Sequence, residues 1–269
     1  MIHNKIEMKV EGSLEGASLY TYILDNSPEI GIEKRPILVL CPGGGYEMTS
    51  DREAEAVAVQ FMAMGYHVAV LRYSVKPATY PTALLELGKS VVYLREKAEE
   101  WNIDTDKLII QGASAGGHLA ASYAMLWQEN FVSEALGVSK ERLKPNGLML
   151  SYPVITSGEY AHRDSFKNLL GDQYDSLVDW VSLEKRVSKD TPKTFVWHTY
   201  TDDCVPPENS LLLVDALKKH NIPTEFHLFP EGGHGLGLAN ELTACPNGYG
   251  VEEACAIWIK LAGTWLKNI

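Results

Sequence analysis

One short stretch restricts the fold more than any other. Gly112-Ala113-Ser114-Ala115-Gly116-Gly117 follows the apolar run at 107–111 and opens a helical stretch over about 117–128. A sharp strand-to-helix turn of this kind forces its central serine into a strained backbone conformation and lifts the hydroxyl clear of the sheet. The chain passes so close to itself there that the positions two before and two after the serine must be small. Gly112 and Gly116 meet that demand, and Ala113, Ala115 and Gly117 add slack. The helix behind Ser114 aims its N-terminus at the hydroxyl, which favours negative charge developing there.

The surrounding sequence supplies a frame for such a turn. Apolar runs at 37–41, 67–73, 107–111, 148–152, 194–198 and 224–229 read as strands, with opening strands at 19–24 and 6–10. Helical stretches separate them at 51–64, 81–101, 117–128, 208–220 and 252–267. In the first of these Ala54, Val57, Ala58, Phe61 and Met62 share one face, and Gly65 ends it. Pro81 suits the first turn of the second. Strands apolar throughout, alternating with helices, specify an α/β fold with a mostly parallel central sheet covered on both faces. No repeat or linker divides the chain, so residues 1–269 are expected to form a single domain. The least regular part, 157–188, carries Tyr160, His162, Phe166, Tyr174 and Trp180. It is expected to lay short helices over one end of the sheet, as a small lid or insert where selectivity resides.

A serine hydroxyl is a weak nucleophile and needs a base oriented by a third group. Behind this kind of turn the order along the chain is serine, acid, histidine. The run at 194–198 leads to Asp202-Asp203-Cys204-Val205-Pro206, and the run at 224–229 leads to Gly232-Gly233-His234-Gly235. Both follow strand ends, the same edge at which Ser114 stands. Asp202 has the expected register ahead of Val205-Pro206, with Asp203 as the alternative. His234 is the expected base, on a loop that its glycines leave free to place the ring. Among the other histidines, His3 is terminal, His67 and His227 fall in strands, and His220 ends a helix. His198 reads as structural, His118 as packing on the helix behind Ser114, and His162 as a residue able to line a pocket. Acyl transfer also needs amide donors for the oxyanion. Ala115 is the expected first donor. Pro42-Gly43-Gly44-Gly45-Tyr46, straight after the 37–41 strand, offers the second, Gly44 ahead of Gly45.

Taken together, these residues resemble the acetylesterase and carboxylesterase branch of the α/β-hydrolases, related to the lipase group with a His-Gly-Gly-Gly loop. The resemblance runs from about residue 37 to 266. It rests on Pro42-Gly43-Gly44-Gly45-Tyr46, Gly112-Ala113-Ser114-Ala115-Gly116-Gly117-His118-Leu119-Ala120 and Ser151-Tyr152-Pro153-Val154. It rests also on Asp202-Asp203-Cys204-Val205-Pro206 with Glu208-Asn209-Ser210, and on Gly233-His234-Gly235. Pro42 replaces the usual histidine of the lipase-group loop, a substitution that similar acetylesterases tolerate. The resemblance implies a serine esterase for short acyl groups, with acetylated sugars and xylan-derived oligosaccharides among its substrates. Prolyl-oligopeptidase-like peptidases share the serine turn and acid loop but carry a large extra domain, for which this chain has no room. A non-catalytic binding protein of the same fold is the other alternative, against which the intact serine, acid and histidine argue.

Composition narrows the partners. The chain has 269 residues, a formal net charge of -11 and no basic stripe, which disfavours nucleic acid and anionic membranes. No apolar run is long enough for a membrane span. A small-molecule ester is the expected partner, and the oligomeric state, a homo-oligomer included, stays open. No leader is visible and the four cysteines are widely spaced, so a cytoplasmic protein with reduced thiols is expected, although Cys245 and Cys255 are near enough in sequence to pair. No metal-ligand spacing, phosphate loop or dinucleotide fingerprint occurs, and no cofactor is expected.

Overall fold

In the computed structural model, which describes residues 1–269, the apolar runs from 37–41 to 194–198 become the middle of one eight-stranded sheet and the run at 224–229 becomes an edge. The strands are β1 (Ile2–Glu7), β2 (Ser18–Ile23), β3 (Arg35–Cys41), β4 (His67–Arg72), β5 (Ile103–Ala113), β6 (Gly147–Ser151), β7 (Lys193–Thr199) and β8 (Thr224–Phe229). Their order is β1-β2-β4-β3-β5-β6-β7-β8. From β4 to β8 every pairing is parallel, while β1–β2 and β2–β4 are antiparallel. The helices are α1 (Glu55–Ala63), α2 (Thr82–Glu96), α3 (Ala98–Trp101), α4 (Ser114–Leu126), α5 (Asn130–Leu136), α6 (Arg163–Leu170), α7 (Tyr174–Leu177), α8 (Glu208–Lys219), α9 (Glu253–Ala256) and α10 (Trp258–Leu266).

Side chains alternate across a strand, so a buried strand feeds two cores. Ile37, Val39 and Cys41 join the core beneath α2, α4 and α8, while Leu38 and Leu40 join the core beneath α1 and α10. Leu148 and Leu150 face the first core, and Met149 faces the second. This double burial is why the central strands read as unbroken apolar runs. It also places the carboxyl ends of β3, β5, β7 and β8 along one edge of the sheet, where the loops carrying residues 43–45, 114, 202 and 234 emerge.

Several boundaries differ from the sequence expectation. The first strand is Ile2–Glu7 and not 6–10, because the Val10 amide donates to Ser13 Oγ and the chain turns there. β1 is polar and largely exposed, the composition of an edge strand with a solvent-facing side. The stretch 51–64 is one 3-10 turn, Asp51–Glu53, then α1. The break at Ala54 lets Glu53 turn its carboxylate into the interior. The stretch 81–101 divides at Lys97 into α2 and α3, and 252–267 divides at Ile257 into α9 and α10. Pro81 caps α2 instead of standing in its first turn, and α4 begins at Ser114 itself, three residues before the expected start.

The turn after β5 is as crowded as its composition implies. A Cβ on Gly112 would lie 2.1 Å from the Gly116 carbonyl oxygen, and one on Gly116 would lie 2.0 Å from the Cys41 carbonyl oxygen. These obstacles are backbone atoms that cannot rotate away. Gly116→Ala is therefore expected to destabilise the protein by about 3 kcal/mol, the upper range for an overpacked interior. Urea unfolding measures it, and a loss below about 1 kcal/mol would contradict the close approach.

Candidate active site

Ser114 sits at the junction of β5 and α4 with φ +53, a left-handed conformation that a non-glycine residue adopts only when its surroundings impose it. Its Oγ lies 2.7 Å from His234 Nε2. On the other side of that ring, Nδ1 lies 2.7 Å from Asp202 Oδ2. Because a carboxylate only accepts, Nδ1 carries the hydrogen and Nε2 is left to accept the Ser114 proton. Ser114 and Asp202 are buried, and His234 keeps one edge toward solvent.

Asp202 is held by four donors. Oδ2 receives His234 Nδ1 and, at 3.2 Å, His198 Nε2, while Oδ1 receives the amides of Cys204 and Val205 at 3.0 and 2.9 Å. Burial alone would raise the carboxyl pKa, but the bonds from His198 and His234 and the Val205 amide outweigh it and hold Asp202 well below the usual carboxylate range. His198 is fixed in turn: its Nε2 also faces the Val205 carbonyl at 2.9 Å, and its Nδ1 meets Ser210 Oγ at 2.8 Å.

The loop after β3 closes the other flank. The Gly43 amide donates to Glu53 Oε2 at 2.7 Å. The amides of Gly44, Gly45 and Ala115 have no acceptor within the chain. Gly44 and Gly45 line a cleft of about 240 Å³ together with Ser114, His162 and His234. Gly44 has φ +127, and a Cβ there would stand 2.3 Å from the Met48 carbonyl oxygen. Asn168 on α6 clamps the loop by donating to the Gly45 carbonyl at 2.9 Å. A larger hollow of about 450 Å³ lies between β1 and α2, but no nucleophile with a neighbouring base lines it.

The BD-FAE family model matches residues 26–217, most of the chain. The chain belongs to the BD-FAE family of α/β-hydrolases. It is 38% identical over 215 residues to endo-1,4-beta-xylanase B of Butyrivibrio fibrisolvens, an alignment covering 77% of this chain and 33% of that protein. It is 29% identical over 248 residues to the acetylxylan esterase of Xylanibacter ruminicola, covering 86% of this chain and 45% of that protein. The chain thus spans between a third and a half of these curated relatives. Among solved structures, the acetyl ester-xyloside bifunctional hydrolase from Caldicellulosiruptor lactoaceticus superposes with a TM-score of 0.83 at 34% identity, covering 98% of this chain and 96% of that one.

Within this BD-FAE member the sequence-derived candidates meet at one place. Ser114, His234 and Asp202 are mutually bonded, and Gly44, Gly45 and Ala115 surround Ser114 with unbonded amides. Asp203 is exposed and away from the ring. Cys245 and Cys255 do not pair: all four cysteines are free. No helix is long and apolar enough to cross a membrane. His118 is buried, as expected, but it does more than pack. Its Nδ1 meets Tyr46 Oη and its Nε2 donates to the Val181 carbonyl, both at 2.9 Å, and burial lowers its pKa to about 4. It ties the glycine loop to the 157–188 segment.

Two residues escaped sequence reasoning. Glu53 Oε1 accepts from Tyr152 Oη at 2.8 Å while Oε2 takes the Gly43 amide, so one buried carboxylate braces both flanks of the serine. The Tyr152 ring stands edge-on to His234 with centroids 5.2 Å apart, and its hydroxyl also receives the Gly237 amide. Glu53 looks like one more acid in an amphipathic helix, with no local signal. Tyr152 lay inside Ser151-Tyr152-Pro153-Val154, a motif that marked the family without assigning the ring a task.

The lowered pKa of Asp202 has a consequence for stability. A carboxyl whose folded pKa lies below its unfolded value, about 3.9, stabilises the native state above that value and loses this contribution as pH falls through the folded pKa. The stability difference between wild type and Asp202→Asn is therefore expected to be constant above about pH 5 and to shrink steadily below about pH 4. Urea unfolding at stepped pH measures it, and a difference that stays flat into strong acid would refute the bonding described.

Proposed function

We propose that this protein is a serine carboxylic-ester hydrolase acting on short acyl esters, acetyl esters of sugars among them. The observation that carries the reading is the pair of 2.7 Å bonds linking Ser114 Oγ to His234 Nε2 and His234 Nδ1 to Asp202. The similarity to the Xylanibacter acetylxylan esterase and the Caldicellulosiruptor acetyl ester-xyloside hydrolase supports the acetyl-sugar substrate class.

In the proposed reaction His234 Nε2 accepts the Ser114 proton as Oγ attacks the ester carbonyl carbon. The carbonyl oxygen becomes an oxyanion, and the amides of Ala115 and of Gly44 or Gly45 stabilise it. They are suited to this because they are preorganised and have no internal acceptor to give up. Asp202 keeps the His234 hydrogen on Nδ1 and stabilises the imidazolium. His234 then gives its Nε2 proton to the leaving alcohol, producing an acyl-Ser114. Water, deprotonated by His234, repeats the attack and releases the acid. The free thiols agree with a reducing, cytoplasmic setting.

Turnover of p-nitrophenyl esters from acetate to octanoate tests the reading. Wild type is expected to be fastest on acetate, and Ser114→Ala to lose at least about a thousandfold in kcat. Absence of turnover, or turnover unaffected by Ser114→Ala, would overturn it. The two aspartates should separate in the same assay. Asp202→Asn is expected to lower kcat by about a thousandfold or more, and Asp203→Asn to stay within about twofold, since Asp203 touches neither the ring nor the cleft floor.

A further inference from the structure

The cleft holds a titratable side chain that these steps leave unused. His162 immediately precedes α6, in the irregular segment, and its ring lines the same cleft as Ser114 and His234. Its Nδ1 lies 2.8 Å from Ser165 Oγ. Ser165 is only 1% exposed, and its hydroxyl has no other acceptor within bonding distance. A buried hydroxyl hydrogen left unpaired is costly, so Ser165 donates to Nδ1. The ring hydrogen must then sit on Nε2, which has no partner within the chain. Burial lowers the pKa of His162 and the charge of His234 lowers it further, outweighing the opposing pull of Asp164 and Asp202, which favours the neutral ring.

We propose that His162 is a specificity-determining residue, donating from Nε2 to an oxygen on the alcohol half of the ester. The chemistry it fits is a polyol acetate, in which an ether or hydroxyl oxygen neighbours the acetylated position. This rests on the esterase reading above. Two arguments place the contact on the alcohol side. The ester carbonyl oxygen is already served by the backbone amides, and an acetyl methyl offers no acceptor, so only the alcohol half has one left. His162 and His234 also line the same cleft, and His234 is the group that protonates the leaving alcohol.

The test uses the full chain and two substrates: an acetylated methyl xyloside, and p-nitrophenyl acetate, whose leaving group has no oxygen beside the ester. The readout is the ratio of their kcat/KM values. His162→Phe is expected to lower that ratio about tenfold, the scale of one neutral hydrogen bond. His162→Gln, which keeps a donor, should recover most of it. Ser165→Ala releases the tautomer and should lower the ratio severalfold; it decides the matter if His162→Phe fails to fold. A ratio within twofold of wild type in both His162→Phe and Ser165→Ala overturns the proposal, as does an equal loss in His162→Phe and His162→Gln. Those results leave the esterase reading standing. A wild type that hydrolyses neither ester removes that reading, and this proposal with it.

Discussion

The close approach of α4 to the end of β3 governs the geometry of the whole site. Gly116 packs against the carbonyls of Cys41 and Pro42 so tightly that no Cβ fits between them. This one contact fixes where Ser114 emerges and where the glycine loop begins, so the proposed nucleophile and amide donors are set by the same packing. The strained φ at Ser114 is sustained because the end of β5, residues 108–113, on one side and α4 on the other are buried and cannot relax. Moving either element by a fraction of an ångström would alter the hydroxyl and its surroundings together.

Polar groups buried around this contact divide into two kinds. Asp202, His198, Glu53, Tyr152 and His118 have their hydrogen-bonding capacity occupied, largely by one another and by backbone. Such satisfied networks are rigid, because breaking any member leaves a buried partner unpaired. The amides of Gly44, Gly45 and Ala115 are the opposite kind: donors held in place with nothing to hold. Rigid satisfied groups surrounding unsatisfied donors are the arrangement that the proposed oxyanion stabilisation requires. Glu53 is central to this contrast. By taking the Gly43 amide it fixes the loop while leaving the next two amides free.

How much of this could be read from sequence follows from the range of the forces involved. The central strands were legible because burial on both faces makes them continuously apolar. Ser114 was legible because local crowding leaves only small residues around it, and Asp202 and His234 because they follow strand ends in a fixed order. Glu53 was not legible: its partners, Gly43 and Tyr152, lie 10 and 99 residues away in the chain. His198 was read as structural, but its bond to Asp202 depends on the turn at 199–205 and left no pattern. The antiparallel placement of β1 and β2 was equally hidden: β1 is a polar edge strand with weak periodicity, and the buried β2 carries no local mark of its direction. Local steric demands write themselves into sequence, and long-range polar pairing does not.

The same distinction separates chemistry from selectivity in this fold. Every group that would handle the reacting bond stands at or just beyond the carboxyl end of a parallel strand or at the start of α4. Their positions are inherited from the sheet. The 157–188 segment contains no strand, and short helices and 3-10 turns make up its regular structure. It is anchored by apolar residues, Phe166, Leu169, Leu170, Val181 and Leu183, and by the His118 bond to Val181. Those anchors fix its base while leaving His162 at the cleft and Asn168 on the Gly45 carbonyl. A segment held this way can change the residues it presents without disturbing β5, β7 or β8. On the proposed role of His162, recognition of the alcohol half can therefore change while the sheet edge keeps the reacting groups aligned.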